Sequence, residues 1–556
     1  MKKNSFVEGT IVATLAIVFS KILGMLYVIP FYSIIGQNGS TLYSYAYNIY
    51  VIFLNISSAG IPVAIAKLVS EYDSKKLHEA KARSFKIGIQ IVTTLSIICF
   101  ILMLIFAEPI VSFIIGNKVG GNSLEEIALV IRVVALSVLI IPFLSISRGY
   151  LQGHKIIWPT SVSQMLEQII RIIVVLGGSF TVISLMGMDY SIGVAVAIAG
   201  SFVGGLFAIL YIMKKILSNR KQLDLIEHEK KDDITNKEII KKIITYAIPF
   251  IIINLTVNFF NIVDMTLIIR NLGNFGFTGE EAEFVSSALT TWGYKLNMIV
   301  NAIATGLTVS LIPNLVSAWT LKKQNEVNNI FNRALQIALF VSMPCAIGLS
   351  FLAGPVWNVF YGPSDLGPMI FRFSILTSMF CNVYLIGIQS AQAINEYKTV
   401  YKAVIFGFSM NAIFDVPFMY LCNYVGLPAY YGATLATILG YIVAIGIIMY
   451  TLLKKDKIII KDSIKVFGKL IVCILCMLIV LNLLKYFYPY LYTGRMSAIL
   501  YIVIFALLGG FTYIFTAVKL GLVNHILGKK MINKLISKIT FGIVKIKGDI
   551  SDNPED

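Results

Sequence analysis

Six polar side chains recur along the stretch TSVSQMLEQIIR: Thr160, Ser163, Gln164, Glu167, Gln168 and Arg171, at spacings of three, one, three, one and three. On an α-helix that spacing draws one continuous stripe. The opposite face, Val162, Met165, Leu166, Ile169 and Ile170, is apolar. Glu167 stands four residues before Arg171, the favourable order for an intrahelical ion pair. Such a pair either ties the helix to its neighbours or orients Arg171 while leaving guanidinium donors free for an anion. Lys21 and Lys295 are likewise embedded in apolar segments, with Asn301 near Lys295 and with Asn48 and Asn55 in another apolar segment. Three cations from different segments could line one wet cavity; the plainer alternative is that each snorkels to an interface.

A second group is acidic. Asn254, Asn258, Asn261 and Asp264 recur at spacings of four, three and three, and Asn411 and Asp415 stand four apart. Oxygen ligands from two or three helices could hold a monovalent cation, and a buried carboxylate could instead take a proton. Carboxylates hydrogen-bonded to neighbouring helices would look the same in sequence.

These residues need a membrane around them to be informative. Of 556 residues, 57% are hydrophobic and 13% charged, against about 25% charged in a soluble domain. A spanning helix needs about 20 apolar residues, and that criterion yields fourteen candidate spans between residues 10 and 519. An ionised side chain at the bilayer centre costs about 2.5–3.5 kcal/mol even on the lenient insertion scale. The polar stripe must therefore face protein or water. The formal charge of +17 could suggest nucleic acid, but 37 of the 46 Lys and Arg fall beside the termini and the even-numbered connections, and six on the other side. That split is the positive-inside signature of cytoplasmic N- and C-termini. No nucleic-acid partner is expected. The first apolar run lacks a cleavage site and reads as a retained span.

The longest hydrophilic interruption runs from Lys214 to Lys242 and reads as a solvated linker. On either side the chain echoes itself: GIPVAIAKLVS answers GLTVSLIPNLVS, and EPIVSFIIG answers GPVWNVFYG, both at an offset of 246 residues. Six spans per copy make a parallel repeat, an arrangement that places a substrate path between halves. The expected organisation is a six-helix lobe (1–213), a cytoplasmic linker (214–242), a second lobe (243–453), two further helices (464–519) and a basic cytoplasmic tail (520–556). The tail either lies along anionic lipid or is solvated. Cys473 and Cys476 form a CxxC inside IVCILCMLIV, where helix packing is the plain reading.

Four stretches carry a resemblance: FSKILGMLYVIPF, LYSYAYNIY, SAGIPVAIAKLVSEY and RGYLQGHKIIWPTSVSQMLEQIIRI. They resemble the stage V sporulation protein B/YtgP-type polysaccharide exporters, within the multidrug/oligosaccharidyl-lipid/polysaccharide (MOP) flippase superfamily that also contains MurJ lipid II flippases. The resemblance implies an all-α polytopic fold of 14 transmembrane helices, two six-helix lobes plus two extra helices, in the bacterial cytoplasmic membrane. It implies translocation of a lipid-linked pyrophosphate sugar, lipid II first among them, from inner to outer leaflet by alternating access. Ser20 and Lys21 match a serine and basic residue of the first helix, with Lys where relatives often have Arg. A second basic residue expected shortly afterwards is absent, and Tyr27 and Val28 stand there. The candidate cavity residues, read from the polar stripes, are Lys21, Asn48, Asn55, Glu167, Arg171, Lys295 and Asn301. A sodium site of some MurJ-like proteins matches Asp264, Asn411 and Asp415, with Thr434 or Thr437 as further ligands, so Na+ or H+ is the expected coupling ion. No organic cofactor, no P-loop and no catalytic group is expected. A monomer is expected, with membrane lipids and cell-wall synthesis enzymes as partners. Two rivals stand beside this reading: a cation-coupled multidrug exporter of the same superfamily, and a non-transporting scaffold for wall-synthesis enzymes.

Overall fold

The computed structural model describes residues 19–58, 60–116, 120–225, 232–489 and 494–527. Residues 10–18 of the first predicted span and most of the basic tail lie outside these residues, as does the side chain of Asn254. The described chain is helical, without a strand among the described residues. The helices are α1 (Val28–Ser58), α2 (Ile61–Ser74), α3 (His78–Ile105), α4 (Ala107–Ile115), α5 (Leu124–Gly153), α6 (Trp158–Ile173), α7 (Tyr190–Ser218), α8 (Asn236–Asn271), α9 (Gly279–Ser287), α10 (Gly293–Thr320), α11 (Gln324–Phe351), α12 (Ala353–Tyr361), α13 (Leu366–Ser374), α14 (Thr377–Ala393), α15 (Tyr397–Tyr424), α16 (Tyr431–Lys454), α17 (Lys461–Phe487), α18 (Arg495–Lys519) and α19 (Leu522–Leu527). Among the described residues eleven helices are long and apolar enough to cross a membrane. The chain is a polytopic membrane protein.

Local chemistry sets the breaks. Gly36 has φ 68° and bends α1 sharply, a conformation that glycine adopts without steric penalty. Gly60, at φ 81°, separates α1 from α2, and a side chain there would meet the Ala247 carbonyl oxygen at 2.5 Å. Ser123 and Glu126 form a capping box at the start of α5.

Packing divides the chain into two compact units, one of residues 1–297, 357–377 and 401–444, the other of residues 298–356, 378–400 and 445–556. Within the first, α5 packs closely on α2, with Gly149 against the backbone of Pro62 and Gly153 against Ala66. The buried core there joins Ile65, Leu68, Tyr72, Phe85, Tyr150 and Ile212. Within the second, α17 and α18 pack together beside α11, and the Tyr513 hydroxyl donates to the Phe340 carbonyl at 2.6 Å. Cys473 is buried and all six cysteines are free.

The described ends of the 214–242 linker fold back onto α3. Buried Lys81 bridges Asp73, at 2.6 Å, and Asp224. The Ala80 amide donates to Asp232 at 2.8 Å, and Arg83 donates to the Ile234 carbonyl at 2.6 Å. Charge alone suggested solvation; the helix-end donors and Lys81 supply partners that no periodicity reveals.

Candidate functional site

Helix α6 begins at Trp158–Pro159, where proline at the first turn removes no helical hydrogen bond. Its polar face turns inward: Thr160, Ser163 and Gln168 are buried, whereas Ile169 and Ile173 on the apolar face are exposed. The helix reaches α7 across two glycines. A side chain at Gly204 would meet the Glu167 carbonyl oxygen at 2.6 Å, and one at Gly200 would crowd the Arg171 carbonyl at 3.1 Å.

Glu167 does not pair with Arg171. Its carboxylate takes Arg148 of α5 at 2.9 Å, and the Arg148 Nε donates to Ser163 at 2.7 Å. Arg171 instead donates from Nη2 to the Gln168 side-chain oxygen, while its Nε is buried with no acceptor among the described residues. The groups that feel its charge are Tyr27, Glu167, Tyr43 and Tyr47.

Lys295 sits in the first turn of α10, just after a π-helical turn at Ala288–Trp292. Its Nζ lies 4.3 Å from the Trp292 ring centroid, 4.8 Å from Tyr43, 5.7 Å from Tyr27 and 5.8 Å from Tyr47. Four ring faces make a cage for an ammonium. The cage is itself anchored: Trp292 Nε1 donates to the Ser40 carbonyl at 3.1 Å, and Tyr361 donates to the Trp292 carbonyl at 2.7 Å. Lys295 also feels the charge of Arg171 and interacts with the Tyr27 hydroxyl. Arg171 and Lys295 thus share Tyr27, Tyr43 and Tyr47. Among the described residues no carboxylate lies within 4.0 Å of either cation. An ion pair would cancel the field here; its absence leaves the pocket positive.

The other sequence-derived residues fall in different surroundings. Lys21 is half-buried near Gly24, whose Cβ position lies 3.2 Å from the Gln168 amide nitrogen. Asn48 is a buried cross-link, donating to Thr291 at 2.9 Å and Thr290 at 3.3 Å. Asn55 donates back to Val51 of its own helix at 2.9 Å. Asn301 is half-buried on α10.

The acidic residues gather elsewhere in the same unit. Asn411 donates to Asp264 at 2.9 Å, and Thr437 donates to the other Asp264 oxygen at 3.0 Å. Asp415 is fully buried, and neither of its oxygens, nor the Asn411 side-chain oxygen, has a hydrogen-bond partner among the described residues. Thr434 is buried one turn before Thr437. A buried and a half-buried carboxylate that feel one another, with three oxygens unspent, fit a bound proton or a hard monovalent cation. Thr437 is the hydroxyl that reaches Asp264.

The aromatic cage and Arg148 escape a reading based on charged residues in apolar runs. The available signal was spacing: Tyr43 and Tyr47 lie one turn apart, and Trp292 lies three residues before Lys295.

The polysaccharide biosynthesis protein family model matches residues 6–319. Lipid II flippase MurJ of Bacillus subtilis (strain 168) is 29% identical over 543 residues, covering 95% of this chain and 98% of that protein. Stage V sporulation protein B of the same organism is 24% identical over 370 residues, covering 66% and 69%. Among solved structures, a lipid II flippase MurJ in an inward closed conformation superposes with a TM-score of 0.65 at 19% identity, covering 91% of this chain and 98% of that one. An inward-facing multidrug resistance MATE transporter of the MOP superfamily gives 0.59 at 16% identity, covering 79% and 95%. The chain belongs to the polysaccharide biosynthesis protein family and has the fold that MurJ and MATE proteins share.

Proposed function

We propose that this protein is a flippase that moves lipid-linked, undecaprenyl-pyrophosphate sugars, lipid II foremost, from the inner to the outer leaflet of the bacterial cytoplasmic membrane. The observation that carries the reading is the unneutralised pair Arg171 and Lys295 around Tyr27 and Tyr43. A pyrophosphate entering hydrocarbon unpaired faces a prohibitive desolvation cost. A guanidinium offers it a planar fork of donors, and an ammonium offers a compact point charge. The prenyl chain can stay in lipid while the headgroup crosses. No bond forms or breaks in that cycle, so the residues bind and orient rather than catalyse.

The relatives named as lipid II flippases support this reading at the level of family, and the charge of the pocket supports it at the level of residues. A multidrug exporter shares the fold, but organic cations would meet Arg171 and Lys295 as like charges. The Asp264, Asn411, Asp415 and Thr437 group supports a coupling site for Na+ or H+ in the same unit. Its unspent oxygens would hold the ion, and Asn411 and Thr437 orient Asp264 towards it.

Cells depleted of their own lipid II flippase provide the test. The wild-type protein should restore growth and outer-leaflet lipid II, and Arg171→Ala and Lys295→Ala should restore neither while inserting normally. Full rescue by both variants would remove the anion site from the account.

A further inference from the structure

One buried carboxylate belongs to neither group. Glu283 on α9 is 2% exposed. One of its oxygens accepts the Asn122 amide at 2.8 Å; the other has no hydrogen-bond partner among the described residues. The second oxygen is packed against the chain so tightly that a Cβ on Gly120 would sit 1.8 Å from it. The same Asn122 amide also donates to Thr41 of α1 at 2.6 Å. Glu283 therefore closes a seam between α9, the loop before α5, and α1 just beyond its Gly36 bend. Further along the seam, Ser44 and Thr291 hydroxyls are 2.6 Å apart, and Asn48 and Trp292 add the cross-links already described. The loop before α5 lies at the end of the helices that the charge distribution assigns to the outside.

Among the described residues no cation lies within 4.0 Å of this carboxylate. The charged or titratable groups that face it are Glu280 and Tyr45. Tyr190 of α7 stands beside Asn122, with Glu126 and Asp189 behind it. Among the described residues Glu283 makes no ion pair. A carboxylate buried against backbone and beside a like charge is stable as the neutral acid. Ionised, it must reach water, and water reaches it only if the seam parts.

We propose that Glu283 is a proton-binding latch of the outer layer: protonated, it holds α9 against Asn122 and α1, and ionised, it releases them. A proton taken from the outside then favours reclosure of the chamber after its cargo has left. The latch concerns the protein's own conformational equilibrium and goes beyond the flippase reading, since it holds whatever the cargo is.

Hydrogen–deuterium exchange of the purified full chain in lipid nanodiscs tests it without any substrate. Exchange in peptides covering residues 37–48 and 279–292, corrected for the intrinsic pH dependence, should rise between pH 6 and pH 9 in the wild type. The rise should approach about tenfold per pH unit once Glu283 titrates, the limit for a single proton. Glu283→Gln should keep those peptides protected at every pH, whereas Glu280→Gln and Glu283→Asp should retain the response. Infrared difference spectra across the same range should show a protonated carboxyl band that Glu283→Gln removes. The proposal is overturned if Glu283→Gln shows the same pH response as the wild type, or if the wild type shows none. Should Glu283→Gln fold poorly, the infrared band of the wild type and its shift in Glu283→Asp decide the matter, and a missing band rejects the latch.

Discussion

Glu167 forms its ion pair with Arg148, 2.9 Å away on the neighbouring helix, and leaves Arg171, one turn further along its own helix, without a direct ion pair among the described residues. That choice of partner creates the site. Had Glu167 closed on Arg171, the guanidinium would be occupied and Lys295 would be left as the pocket's one uncompensated cation.

Removing Arg148 should therefore damage the site through Glu167. Arg148→Gln leaves a largely buried carboxylate unpaired, a class of change that costs about 3–5 kcal/mol when burial is complete; the partial exposure of this pair places the effect at the lower end. Glu167 then turns to Arg171 as the remaining cation. Expected results are a lower melting temperature and loss of rescue in flippase-depleted cells. The double variant Arg148→Gln/Glu167→Gln should recover part of both, because it removes the stranded charge.

The aromatic cage gives a graded prediction. Tyr47 is half-buried, so its substitution spares the core. Tyr47→Phe keeps the ring face and should bind pyrophosphate lipid like the wild type. Tyr47→Leu removes one cation–π contact of about 0.5–2 kcal/mol that positions the Lys295 ammonium, and should lower affinity by no more than the corresponding roughly two- to thirtyfold. Titration of purified variants with a fluorescent undecaprenyl-pyrophosphate sugar reads both values.

For the acidic group, the wild type should be stabilised by Na+ over a bulky organic cation, or by acidification if the site takes a proton. Ligand linkage makes this visible as a rise in melting temperature with ion concentration. Asp415→Asn should abolish the rise, and Thr437→Val should weaken it. A wild type indifferent to both ions would make Asp264 and Asp415 structural.

The linker clamp sets an acid limit. Burial alone would raise the Asp224 carboxyl, but hydrogen bonds from Lys81 and His78 overcome it and hold the group below its ordinary value of 3.8. A depressed carboxyl contributes stability that is present above pH 3.8 and is lost as pH falls through the lower folded-state value. Asp224→Asn should flatten that acid-side loss in melting temperature while leaving the response to Na+ unchanged.

Much of the architecture was legible because hydrocarbon imposes it. Apolar runs long enough to span give the helices, and the α6 stripe named its own inward face: Thr160, Ser163 and Gln168 are buried where the periodicity placed them. Asp264, Asn411 and Thr437 meet although 173 positions separate the first from the last; the oxygen-rich spacing of Asp264 and of Asn411 suggested a shared site, and the family resemblance added Thr434 or Thr437. Pairing was less legible. The order Glu167 before Arg171 favours a bond along the helix, yet Arg148 reaches from α5 with better geometry and shares Ser163. No one-dimensional pattern ranks a neighbour on the same helix against one across a packing interface. Glu283 was missed for a related reason: it precedes an apolar run and resembles a solvated helix-start acid, while its burial depends on Gly120 and Asn122 of a distant loop.

The central claim is that Arg171 and Lys295 form one anion site. Native mass spectrometry of the detergent-purified protein with undecaprenyl-pyrophosphate sugar lipid and its monophosphate counterpart measures it directly. The account predicts selective retention of the pyrophosphate lipid by the wild type, and its loss in both Arg171→Gln and Lys295→Gln with the fold intact. Equal retention by the wild type and both variants would contradict it.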